Sequence, residues 1–112
     1  MLFRSADVLS GMGRHIAREL IEAFPSLNPH ARLAALDILG RLRSLDTVPW
    51  LGERVSDGEA DVRARSCAAL GEIGSAASRE VLRRALSDEA WPVRAMAAKA
   101  IGRIYEIGRA HV

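Results

Sequence analysis

Residue types that commonly do chemistry are sparse in this chain, and their spacing does not let them cooperate. The histidines are His15, His30 and His111. None precedes a carboxylate, and none pairs with another at i+3 or i+4, which excludes an H-E-x-x-H zinc site. The single cysteine, Cys67, sits beside Ala68 and Ala69, and no histidine belongs to its segment. A reactive thiolate needs a base or a cation to lower its pKa, so Cys67 reads as a core residue. Asp57, Glu59 and Asp61 cluster, as do Asp88 and Glu89. Both groups fall where a helix is expected to start, and acids are favoured there by the helix dipole. They read as solvated caps rather than metal ligands. Gly11-Met12-Gly13 is too short for a phosphate-binding loop and lacks the strand–helix setting. The expectation is a non-enzyme with no catalytic residue, metal or cofactor.

Composition narrows the class further. The chain has 112 residues, 49% of them hydrophobic, 27% charged and only 4% aromatic. That is enough apolar material to bury a core, with too few charges for global disorder. The sequence pI of 9.3 hints at nucleic acid. However, Lys99 is the only lysine among 16 basic residues, and the formal net charge is only +2. A surplus of two arginines persisting to high pH explains the pI, and nucleic acid is not an expected partner. No apolar run reaches the roughly 18–20 residues that a membrane helix needs. With one cysteine no internal disulfide can form, which fits a reducing, cytoplasmic compartment. A parent protein with a membrane anchor is compatible with this.

The strongest signal is internal repetition. A shift of 31 residues lays VRARSCAALGEI (62–73) over VRAMAAKAIGRI (93–104), with six of twelve positions identical. One period earlier, ARLAALDILGRL (31–42) keeps Arg32, Leu39 and Gly40 in register with Arg63, Leu70 and Gly71. Between these blocks VPWLGERVSD (48–57) aligns with REVLRRALSD (79–88), and ARELIEAF (17–24) falls one period earlier. Each period holds two apolar-periodic helices. Helix A is expected over 29–42, 59–73 and 91–106, and helix B over 14–24, 47–55 and 77–86. Pro29, Pro49 and Pro92 suit first turns, and Gly74 suits a helix end. The chain is expected to be all-α, a right-handed α-solenoid of paired antiparallel helices occupying 1–106. It divides into a half repeat at 14–27, repeats at 28–58 and 59–89, and a partial repeat at 90–106. Gly40, Gly71 and Gly102 recur inside helix A, where glycine costs about 1 kcal/mol relative to alanine. Close approach of a neighbouring helix is the expected reason.

The pattern V-P-x-L-x-x-x-V/L-x-D-x-x-x-x-V-R-x-x-A-x-x-A-L-G-x-I-G, read most fully over 48–74, resembles the short HEAT-like repeat of the phycobilisome-lyase type. The resemblance implies that Arg32, Asp57, Arg63, Asp88 and Arg94 form a structural ladder between repeats. Ser26 stands where an aspartate six residues before Arg32 would be, so the ladder should be incomplete at that end. The resemblance also implies that the helix B row lines the inner face of the superhelix. Its outward residues are Arg14, Arg18 and Glu22, then Trp50, Glu53 and Arg54, then Arg79, Glu80, Arg83 and Arg84. These form the candidate partner surface. Trp50, which aligns with Val81, is either an exposed interface residue or packing between adjacent helix B segments. Glutamates interleaved with arginines favour a protein partner over phosphates.

The last six residues, 107–112, match the translation of a common short-read sequencing adapter, ATC GGA AGA GCA CAC GTC. They are expected to be non-native; the alternative is a natural helix end with Gly108 as its cap. The last repeat also carries Val93, Ala97, Ala100, Ile101 and Ile104 on a face for which the sequence offers no partner. The chain therefore reads as a fragment of a longer array whose exposed end can self-associate. The arginine-for-lysine and alanine-rich composition points to a GC-rich bacterial source. The expected function is a non-catalytic scaffold for protein–protein interaction. Alternatives are an accessory or lyase-chaperone domain of an enzyme system, or a HEAT-like nucleic-acid binder.

Overall fold

Proline and small capping residues place the helix boundaries. In the computed structural model, which describes residues 5–110 with side chains from 11 to 108, Asn28 opens the second helix. Its Oδ1 accepts the Ala31 N–H at 2.8 Å, and Pro29 fills the first turn, where its missing N–H costs nothing. The chain reads α1 (Ser5–Ala23), α2 (Pro29–Leu42), α3 (Val48–Arg54), α4 (Ala60–Ile73), α5 (Arg79–Ala85) and α6 (Trp91–Ala110). There is no strand among the described residues. Short 3-10 turns, Leu45–Thr47 and Ala76–Ser78, lead into α3 and α5. Helix A of the sequence reading corresponds to α2, α4 and α6, and helix B to α1, α3 and α5.

Two boundaries differ from expectation by more than two residues. The first helix begins at Ser5 rather than at residue 14, because the repeat match fades there while helix-compatible sequence continues. The last helix runs through residue 106 to Ala110. Gly74, at φ +76°, ends α4 in the left-handed conformation, and the Ile107 side chain lies against it. Arg43 ends α2 the same way at φ 53°.

The A helices stack in order, α2 on α4 on α6, and the B helices lie against them as a second layer. The Cα atoms span 54 × 41 × 17 Å, a slab two helices thick. Its core is aliphatic: Leu36, Leu39, Leu51, Leu70, Leu82 and Val93 are fully buried. The recurrent glycine has a measurable reason. A Cβ built on Gly40 would lie 2.9 Å from the Ala69 Cα, and one on Gly71 would lie 2.7 Å from the Ala100 Cα. Both are closer than real Cβ contacts, so each seam needs glycine on one helix and alanine on the next.

Gly102 departs from this rule. A Cβ there would meet nothing within 4 Å. Val93, Ala97, Ala100 and Ile104, expected to lack a partner, are instead buried. They face α4 and α5, because the α-helical register turns them about 140–180° from the side that carries Gly102. The open side of α6 is a different one.

Candidate interaction surface

The recurrent arginines share one local task. Nη1 of Arg63 donates to the carbonyls of Asp57 (2.9 Å) and Gly58 (3.1 Å), and Nη1 of Arg94 donates to those of Asp88 (2.7 Å) and Glu89 (3.2 Å). Each therefore ties the start of an A helix to the turn before it. Arg32 does the equivalent with Nε to Phe24 (3.2 Å) and Nη2 to Pro25 (2.8 Å).

Only Arg63 also bridges to the next repeat. Its Nε and Nη2 grip the Asp88 carboxylate at 2.9 and 3.1 Å, a bidentate pair whose side chains are 11% and 13% exposed. The same carboxylate accepts the Ala90 N–H at 2.9 Å. The paired guanidinium, first of all, holds Asp88 below the ordinary carboxylate range, and Asp88 in turn raises the pKa of Arg63. The link runs forward from an arginine to the aspartate of the following turn. Ser26, six residues before Arg32, is therefore not the acceptor that Arg32 would use; Asp57 is. Yet Arg32 and Asp57 do not pair. The Arg32 guanidinium lies over the Phe24 ring at 5.3 Å, while the Asp57 carboxylate accepts the Glu59 N–H at 2.9 Å.

On the B helices, Arg14, Arg18 and Glu22 are exposed on α1. Trp50 on α3 is half-buried, with its ring 5.0 Å from that of Phe24 and nearly perpendicular to it. Of the two readings of Trp50, this geometry corresponds to packing between neighbouring B helices. The Arg54 guanidinium lies over the indole at 4.8 Å and reaches exposed Glu53 at 3.2 Å. On α5, Arg79, Glu80, Arg83 and Arg84 are all exposed. Glu80 lies 3.7 Å from both Arg83 and Arg84, and the Arg79 guanidinium sits 5.4 Å above the ring of exposed Tyr105.

Sequence reasoning missed several exposed apolar residues. Trp91 is 71% exposed, yet its place before Pro92 marked it only as a helix start. Met12, Ile16 and Leu45 join Leu42, Arg14, Arg41 and Arg43 around an open groove of about 660 Å³ between α1 and the α2–α3 turn. Three separate elements contribute to it, so no local pattern could have shown it.

The single thiol lies in no activating setting among the described residues. Cys67 is fully buried, and desolvation pushes its thiol up to about 12. His15 lies 3.3 Å from Glu19 on an exposed face of α1. Among the described residues, no group of three His, Cys, Asp or Glu is arranged to hold a metal ion.

Stacked helical hairpins joined by glycine–alanine seams and charged turns define an α-solenoid repeat protein. The sequence profile of HEAT repeats matches residues 17–77 and 48–110, so the chain belongs to the HEAT-repeat family. No curated protein matches it. Among the described residues no helix is long and apolar enough to cross a membrane.

Proposed function

We propose that the chain is a non-catalytic scaffold that binds a protein partner along the row of B helices, with α5 as its centre. The observation that carries this reading is the solvent-facing group on α5. Arg79, Arg83 and Arg84 are exposed there, and Glu80 alone offsets them. Arginine beside an aromatic ring is a composition enriched at interfaces, and Arg79 over Tyr105 supplies it. Glu22, Glu53 and Glu80 punctuate the row, which suits a partner of mixed, net acidic charge better than a phosphate backbone. Trp50 supports the surface from beneath, since Phe24 and Arg54 pack against it.

The test places a photo-crosslinking amino acid at position 83, with position 65 on the opposite layer as control, in the native host's extract. Defined protein adducts at 83 but not at 65 are expected, and Arg79→Ala with Arg84→Ala should reduce them at least tenfold. Adducts of equal yield at both positions, or none at 83, would refute the α5 surface.

A further inference from the structure

The open side of α6 repeats the chemistry of a side that is closed twice elsewhere in the molecule. On α4, Gly71 meets Ala100 of α6 and Arg63 reaches Asp88 in the turn before it, with Ala64 and Cys67 within about 40° of Gly71 around the helix. On α6 the same register holds Arg94, Ala95, Ala98 and Gly102. The position of Leu36 and Cys67 is fully buried in the first two repeats, but Ala98 in the third is exposed. Gly40 and Gly71 each receive an alanine from the next helix, while Gly102 receives nothing.

A second, independent feature is the arginine. Arg63 and Arg94 use the same Nη1 on the same two carbonyls of the preceding turn, which leaves Nε and Nη2 to form the fork. In Arg63 that fork holds Asp88. In Arg94 it has no acceptor among the described residues.

We propose that this face docks one further helix pair of the same repeat type. Its A helix would set an alanine on Gly102, and its leading turn would set an aspartate on Arg94. Continuity with the α2–α4–α6 stack identifies the occupant. A second copy of this chain does not meet the specification: at the matching register its first repeat has Ile38 in place of the alanine and Ser26 in place of the aspartate. The inference stands apart from the α5 surface, because it concerns the A-helix layer and different residues.

The experiment lengthens the array in register, joining residues 1–104 to a second copy of residues 74–110. This places the copied Ala100 opposite Gly102 and the copied Asp88 opposite Arg94. In the original chain Gly102→Ala should leave Tm unchanged or raise it, and Arg94→Asn should lower it only slightly. In the lengthened chain each substitution should lower Tm by at least about 4 °C. Equal effects in the two backgrounds would overturn the proposal. Sedimentation of the original chain supplies the other arm: self-association abolished by Gly102→Leu would show that a second copy, rather than a further repeat, occupies the face. Failure of either arm leaves the crosslinking result at position 83 untouched.

Discussion

The seam between α2 and α4 and the seam between α4 and α6 are built from the same register, yet they are held differently. Both rest on a glycine meeting an alanine, at 2.9 Å for Gly40 and 2.7 Å for Gly71. Both carry an arginine tied to the preceding turn. Only the second adds a partly buried bidentate ion pair, Arg63 with Asp88. At the first seam Arg32 turns onto Phe24, and the seam is bridged instead at its surface by Arg65 with Asp37 and by the Arg43 Nε–H donated to the Glu72 carbonyl at 2.9 Å. Packing is the constant part of the repeat, and charge pairing is the variable part. The turn sequence decides which pairing forms. Phe24-Pro25 offers carbonyls and an aromatic face to Arg32, whereas the turns before Arg63 and Arg94 offer carbonyls alone.

The sharpest break should come from Gly71→Ala. Its new methyl would press on helix backbone rather than on a flexible side chain, so a loss of about 2–3 kcal/mol in urea unfolding is expected. Gly40→Ala should cost less, in line with its looser distances. A Gly71→Ala variant as stable as the parent would show that the seams are not close-packed.

Next comes Asp88→Asn, which leaves the buried Arg63 with a neutral acceptor; a loss of about 2 kcal/mol at pH 7 is expected. The pKa of Asp88 is depressed on folding, so its contribution is full above the ordinary carboxylate range near pH 4. It is lost as pH falls through the depressed value. The parent and Asp88→Asn should therefore converge in stability as the pH falls below the ordinary carboxylate range. Asp57→Ala, which loses only a cap at the first seam, should cost about 0.5–1 kcal/mol. Equal losses at Asp57 and Asp88 would erase the distinction between the seams.

The smallest effect is expected at Ser66. Its hydroxyl is fully buried with no hydrogen-bond partner, and Ala35 and Ala97 hold the same register in the neighbouring repeats. Ser66→Ala should stabilise by up to about 1 kcal/mol. A destabilised variant would mean that the hydroxyl has a structural role at this point in the stack.

Much of the fold was legible because the repeat prints the same residues at the same helical phase. Pro29, Gly74 and the 31-residue shift place α2 and α4 almost to the residue. The direction of the arginine link was not legible. Arg63 lies six residues from Asp57 and twenty-five from Asp88, and sequence proximity pointed to the wrong carboxylate as the one that Arg32 would need. The state of Trp50 depended on Phe24, a residue of the turn that follows α1. The open face of α6 was misplaced because an apolar stripe was read as outward, whereas it is the stripe that makes the core. What marks the open side is small residues and one arginine fork, a signature that composition does not distinguish from ordinary surface.

Cys67 gives these seams a built-in reporter. It lies one helical turn from Arg63 on the side of α4 that α6 covers, and it is the only thiol in the chain. A buried, protonated sulfur reacts with a thiol reagent only while the helices are apart, so the rate of its labelling is a clock for how often the stack comes open. The same atom that carries no chemistry for the folded protein thus makes its breathing measurable without adding any probe.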